Sequence, residues 1–258
     1  MARICALVWL FVGMPLAAII LLAAGIRAHA FSSFLPGRAG LTADMALTVL
    51  WVVGITASFS IFDHMDGLCA GVSAIAALYF TVLATMSGHV LVSTLGAAVM
   101  GAAAGFLRWN FQPAKIFMGD GGAMFLGFLM ATLGLKVKLP EPTPSNSWLI
   151  PILILAVPIF DTTLVTISRS RRGLLPFATP GKDHAAHRLA NWGLGQRGAV
   201  LVLYALGAVS GLLALLVSRL PVWQGCAVAS LAALAMFAGV AFLERAPYER
   251  QQASKKPA

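Results

Sequence analysis

The chain has 258 residues, 59% of them hydrophobic and 10% charged, with a formal net charge of +9. An ordinary soluble domain is about 45–50% apolar and about 25% charged. These values exclude a soluble enzyme, imply a chain that lives in a lipid bilayer, and give no reason to expect a nucleic-acid partner.

A spanning helix needs roughly 20 mostly apolar residues. About eight stretches approach that, at approximately 4–26, 46–62, 67–86, 89–107, 122–137, 147–168, 198–218 and 223–243. The prediction is an all-α polytopic membrane protein with about eight transmembrane helices. It forms one domain over 1–243, and the charged tail 244–258 is expected to be disordered. The first run is too long for a signal-peptide core and reads as a retained helix. The second and third are separated only by the polar knot DHMDG, and the fifth is short. No period of 20–50 residues marks a repeat array. The small-residue seam GAAVMGAAAG at 96–105 is expected to pack helices together. Cys5, Cys69 and Cys226 lie in or beside apolar runs, form no CxxC pair, and read as small buried hydrophobes.

An even number of spans puts both chain ends on one side. That side collects 13 of the 18 Lys and Arg, chiefly at Arg108, Lys115, the loop from Arg169 to Arg197, and the tail. Arg27, Arg38, Lys136, Lys138 and Arg219 face the other way. The positive-inside rule then places both ends and the long loop in the cytoplasm.

Of the nine carboxylates, Asp44 and Glu141 fall on the outer side and Glu244 and Glu249 in the tail. Asp63, Asp66, Asp120, Asp161 and Asp183 all gather at the cytoplasmic mouths of helices or in cytoplasmic loops. Ionisable groups near hydrocarbon are costly and mark polar, functional cavities.

Three stretches carry the chemistry. In SIFDHMDGLCAG, Asp63 and Asp66 are spaced i, i+3 and would share a face on a helical turn. Two carboxylates that close repel unless a cation or proton lies between them, and Mg²⁺ accepts a few carboxylates plus water and phosphate oxygens. The bland alternative is a pair of solvated caps. In NFQPAKIFMGDGGAMFLGF, Asp120 sits among glycines just before a helix, where free N–H groups and a partial positive charge favour anions. It would also serve as an ordinary N-cap, and Phe117 could stack on a flat ring or anchor the loop in lipid. In the stretch from Pro158 to Arg197, Asp161 ends a span, and Arg169, Arg171 and Arg172 suit either a phosphate or anionic lipid. Lys182, His184, His187 and Arg188 then form a cationic cluster suited to pyrophosphate. Zinc is the rival for the two histidines.

Together these stretches resemble the polyprenyl-phosphate N-acetylhexosamine-1-phosphate transferases and their phospho-N-acetylmuramoyl-pentapeptide transferase relatives. The matching pieces are FDHMDGLCAG, the NFQPAKIFMGDGG segment with FLGF after it, and PIFDTTLV…GKDHAAHRL..WGLGQR, in order over about residues 45 to 210. The resemblance implies a multi-pass enzyme of the inner (plasma) membrane with its site facing the cytoplasm. A polyprenyl phosphate in the bilayer would attack the β-phosphorus of a UDP-sugar, transferring sugar-1-phosphate and releasing UMP. It implies Mg²⁺, with Mn²⁺ as a substitute, held by Asp120 and Asp63 with Ser60 on metal-bound water. Asp63, Asp66 and Asp120 would be the catalytic carboxylates. Phe117 would lie near the uracil, and Lys115, His184, His187 and Arg188 would hold the sugar-nucleotide.

The chain departs from the family at several points. The family has about eleven spans and an adjacent Asp-Asp pair before this region, and no two aspartates are adjacent here. Ser60 and Ala57 stand where the family has asparagines, and a serine is changed in the run Asp120–Gly121–Gly122–Ala123. These departures raise three explanations: a start site placed too late, a separate chain supplying the missing spans, or a degenerate homologue that binds UDP-sugar or lipid phosphate without turnover. A homodimer is also compatible with the family. A proton-coupled transporter is the alternative of another class, but it predicts mid-span charges and inverted repeats, neither of which the sequence carries.

Overall fold

The computed structural model describes residues 12–32, 35, 37–137, 147–175 and 181–246. Among these, every regular element is helical: α1 (Met14–Ala23), α2 (Arg38–Phe62), α3 (Leu68–Met86), α4 (Val90–Asn110), α5 (Gly119–Lys136), α6 (Leu149–Ile154), α7 (Ala156–Arg171), α8 (Ala185–Leu189), a π-helical turn (Ala190–Leu194), α9 (Gly195–Val217) and α10 (Val222–Leu243). The chain is an all-α polytopic membrane protein, as its composition predicts.

Five stretches are long and apolar enough to cross a membrane, namely α2, α3, α4, Ala185–Val217 and α10. Of the other three expected spans, the first lies partly outside the described residues and the fifth and sixth differ for physical reasons. Only Met14–Ala23 of the first is described as α-helix. The fifth, α5, carries Asp120 in its first turn and Lys136 in its last, which lowers its hydropathy. The sixth is broken: Leu155 turns between α6 and α7. Pro158 explains the break, because it has no N–H for the Ile154 carbonyl and its ring crowds that turn. The tail expectation falls mostly on residues outside the described ones, as does Cys5. Cys69 is a buried free thiol and Cys226 a half-buried one.

Helix α3 is the centre of the bundle, packing along α4 on one side and α9 on the other, while α2 lies against α5. Two reciprocal aromatic–glycine contacts lock α3 to α9. A Cβ on Gly71 would stand 2.0 Å from the Tyr204 ring, and one on Gly211 would stand 2.1 Å from the Tyr79 ring. Tyr79 Oη also donates to the Ala208 carbonyl at 2.8 Å. The seam at 96–105 is used only in part. Gly96 approaches Thr81 of α3, whereas Gly101 and Gly105 face open space.

These contacts give an opposed pair of expected results. Gly211→Ala should lower stability by about 2–4 kcal/mol, the sum of overpacking and a lost buried hydrogen bond. Gly101→Ala should be neutral or stabilising by up to about 1 kcal/mol, since alanine is the better helix former. Thermal unfolding in detergent measures both, and equal melting temperatures for the two variants would refute the packing account.

The loops after α2, α4, α7 and α10 come together at one end of the bundle. Gln112 and Gln196 are hydrogen-bonded there, Arg197 donates to the Gln112 carbonyl at 2.8 Å, and Arg188 donates to the Leu243 carbonyl at 2.7 Å. At the other end buried Asp44 gathers the N–H groups of Ala30, Phe31 and Ser32 at 2.7–3.2 Å.

Candidate active site

Asp63 and Asp66 do not lie on a helical turn. Helix α2 ends at Phe62, Asp63 caps it with φ −81° and ψ 56°, and the chain re-enters helix after Gly67. Gly67 has φ +77°, a left-handed conformation that only glycine adopts cheaply. Three groups fix this turn. Asn110 Oδ1 accepts the Gly67 N–H at 3.0 Å, the Asn110 amide donates to the Ile116 carbonyl at 2.9 Å, and Tyr204 donates to the Gly67 carbonyl. The Asp66 carboxylate accepts the Ala114 N–H at 3.0 Å. The two quoted motifs are therefore stitched together by Asn110 and Asp66, which carry the loop before α5 over to the carboxylates.

Asp120 stands exposed in the first turn of α5. Burial, then the charges of Asp120 and Asp66, push the Asp63 carboxyl up to about 6. Asp63 thus lies within reach of the charges of Asp120 and Asp66, and a divalent cation beside it would relieve that repulsion. The donor set fits a hard, oxygen-seeking ion held by Asp120 and Asp63. Ser60 is half-buried in the last turn of α2, three residues before Asp63. Phe117 is 77% exposed, and the Lys115 ammonium lies 5.4 Å from the centroid of the Trp109 ring.

The second half of the site is the loop after α7. Asp183 pins it: Arg169 makes a two-pronged contact, Nη2 to Oδ1 at 2.7 Å and Nε to Oδ2 at 3.0 Å, and Arg172 reaches Oδ2 as well. Burial alone would raise the Asp183 carboxyl, but the two guanidinium groups outweigh it and hold it at about 2. Two of the three clustered arginines thus take a structural partner, a reading that their spacing did not suggest. Arg188 is likewise turned into the scaffold. Its side chain is completely buried, with Nε on the Asp183 carbonyl at 2.8 Å, Nη1 on the Leu243 carbonyl at 2.7 Å and on Glu244 at 3.1 Å, and Nη2 on Ser168 at 2.9 Å.

His184 is buried, and Asp161 of α7 lies behind it. The Asp161 carboxylate meets His184 Nδ1 at 2.8 Å and the Ala185 N–H at 2.7 Å. The His64 ring stacks on His184, with centroids 3.8 Å apart and planes at 21°, and lies 5.0 Å from half-buried His187. Burial and the neighbouring His184 push the His64 imidazole down to about 3, so it is neutral. Donor atoms of His64, Asp161 and His184 lie within 4.8 Å of one another, a set that a transition metal could use. Two geometric facts weigh against it. Both Asp161 oxygens already accept hydrogen bonds, and lone pairs in the planes of two stacked rings run alongside each other instead of converging on one ion.

Among the described residues the fold therefore places Asp63, Asp66 and Asp120 at one end of the bundle, and joins the Asp63 loop through His64 to His184 and His187. Sequence spacing missed His64, Asn110 and Tyr204. The signal for Asn110 was present, as a polar residue at the very end of an apolar run. His64 meets His184 across 120 positions, and no local pattern reports that.

A family model described as glycosyl transferase family 4 matches residues 3–138. A probable undecaprenyl-phosphate N-acetylglucosaminyl 1-phosphate transferase of Bacillus subtilis is 41% identical over 80% of this chain and 58% of its own length. A decaprenyl-phosphate N-acetylglucosaminephosphotransferase of Mycobacterium tuberculosis is 31% identical over 78% of this chain and 57% of its own length. A phospho-N-acetylmuramoyl-pentapeptide-transferase of Clostridium botulinum is 39% identical over 36% of this chain and 29% of its own length. The chain spans a little over half the length of the first two.

Proposed function

The chain belongs to glycosyl transferase family 4, and on that footing we propose that it transfers N-acetylhexosamine-1-phosphate, or a related sugar-1-phosphate, from a UDP-sugar to a membrane polyprenyl phosphate. The observation that supports the reading is the contact of the Asp63–Asp66 loop, which lies within reach of the Asp120 charge, with a histidine loop at one end of a membrane bundle, where a water-soluble nucleotide and a lipid phosphate can both reach. That end bears the larger share of Lys and Arg, which favours a cytoplasmic orientation in the plasma membrane.

In this mechanism an oxygen of the lipid phosphate bonds to the β-phosphorus of the UDP-sugar. The bond from that phosphorus to the bridging oxygen breaks, and UMP leaves with the electron pair. Phosphoryl transfer of this kind depends mostly on positioning and charge neutralisation. Asp120 and Asp63 would hold Mg²⁺, which when bound would supply charge neutralisation at the pyrophosphate. Asp66 holds the loop before α5 in register, Phe117 offers its exposed ring to the uracil, Lys115 adds positive charge beside it, and His187 meets the sugar or its phosphate from the opposite loop. Arg188 supports that loop from within the scaffold.

His187→Ala should weaken UDP-sugar binding by roughly tenfold or more, the worth of a hydrogen bond to a charged group, while uridine binding changes little. Equal losses for both ligands would remove His187 from the phosphate or sugar. The activity itself is tested with the 258-residue chain in nanodiscs, supplied with Mg²⁺, UDP-N-acetylglucosamine and polyprenyl phosphate. Lipid-dependent UMP release is the expected result. Binding of the UDP-sugar without release would replace the transferase with a sugar-nucleotide-binding homologue, and neither binding nor release would overturn both.

A further inference from the structure

His64 is where the two halves of the site touch. It follows Asp63 in the chain, so it belongs to the carboxylate loop, yet its ring lies flat on His184 of the other loop at 3.8 Å and close to His187 at 5.0 Å. His184 cannot slide away from it. Asp161, with no exposed surface, holds His184 Nδ1 at 2.8 Å and the next backbone N–H at 2.7 Å. A carboxylate acceptor at Nδ1 keeps the proton on that nitrogen and fixes the ring's orientation.

The chemistry of His64 itself indicates which part of the ring is used. Its Nδ1 lies 3.3 Å from the Ile61 carbonyl, and its Nε2 is buried with no hydrogen-bond partner among the described residues. An unsatisfied buried nitrogen costs stability and takes no part in the contact, so the flat face is what the position requires. We propose that Asp161 and His184, both buried, and the half-buried His64 form a positioning unit that sets the distance between the carboxylate loop and His187. The proposal rests on the transferase reading above. It assigns to Asp161 and His64 a role through other residues, with no contact to substrate.

Misplacing a reacting group by about 1 Å costs on the order of 100-fold in rate, and loss of a stacking ring permits a shift of that kind. The test uses the full chain in nanodiscs as three variants. His64→Phe keeps a flat ring and removes the unsatisfied nitrogen, so its kcat and KM for UDP-sugar should stay within about twofold of the parent. His64→Ala removes the ring and should raise KM for UDP-sugar roughly tenfold, with a smaller fall in kcat. Asp161→Asn should release the Nδ1 proton preference of His184, read from ¹⁵N spectra of histidine-labelled protein, and the same spectra should show His187 displaced in His64→Ala but not in His64→Phe. An unchanged KM in His64→Ala, equal damage in His64→Phe and His64→Ala, or an unaltered His184 ring in Asp161→Asn would each overturn the proposal. The spectra need no substrate. If the parent chain releases no UMP, the transferase reading fails alone, and the ring signals still report whether the stack holds His187.

Discussion

Asp120→Asn is expected to abolish Mg²⁺-dependent UMP release, with a loss of about 1,000-fold or more, while the protein stays folded. The size follows from the role. Removing one electrostatic stabiliser from a preorganised site costs about 10²–10³ in rate, and a lost metal ligand also empties the site of its ion. Folding should survive because two small effects oppose each other. Asp120 favours the start of α5 by about 0.3–1 kcal/mol as an anion at a helix N-terminus. Its charge also raises the Asp63 carboxyl, and removing it relieves that repulsion. The net change in stability should therefore be under about 1 kcal/mol. Isothermal titration with UDP-sugar in the presence and absence of Mg²⁺ gives the first readout and thermal unfolding the second. Unchanged nucleotide affinity in a folded variant would take the metal role away from Asp120.

Arg188→Ala should produce the largest loss of stability of any single change at this end of the bundle, about 3–5 kcal/mol. Truncating one partner of a buried ion pair costs that much because the remaining polar groups lose their mate. Here the orphans would be two carbonyls, the Ser168 hydroxyl and Glu244, whose side chain is 17% exposed and regains some water. At roughly 2–4 °C per kcal/mol for a chain of this size, the melting temperature should fall by about 10 °C. Arg188→Lys keeps the charge but not the planar fork, so it should recover only part of the loss. A melting temperature unchanged in Arg188→Ala, with UDP-sugar affinity lost, would return this residue to the substrate.

The apolar runs and the segregation of charge made the helical class and the site end legible from sequence, because both follow from burial in lipid and need no knowledge of which helices touch. The gathering of Asp63, Asp66 and Asp120 at one end was legible for the same reason, since carboxylates are rare beside hydrocarbon. Their setting was not. The i, i+3 spacing of Asp63 and Asp66 suggests a helical face, but Gly67 turns the chain there and a loop results. The sixth run reads as one span by hydropathy, which does not register the donor that Pro158 lacks. Arg169 and Arg172 read as suited to a phosphate or to anionic lipid, and Arg188 to the sugar-nucleotide, because spacing reports charge alone. Their partners, Asp183, Leu243 and Glu244, are supplied by tertiary contacts, some of them from helices far along the chain.

The contact of Arg188 with the last carbonyl of α10 and the Glu244 carboxylate has a consequence for synthesis. Residues 243 and 244 lie 55 and 56 positions after Arg188 and so leave the ribosome later than the histidine loop, yet they accept two of the hydrogen bonds that keep the Arg188 guanidinium in its buried place. Until α10 has entered the bilayer, a cation in the histidine loop lacks those acceptors, and the loop has reason to remain hydrated and open. Insertion of α10 is thus also the step that supplies two of the Arg188 acceptors, so the histidine loop of a nascent chain settles only after that helix has joined the others.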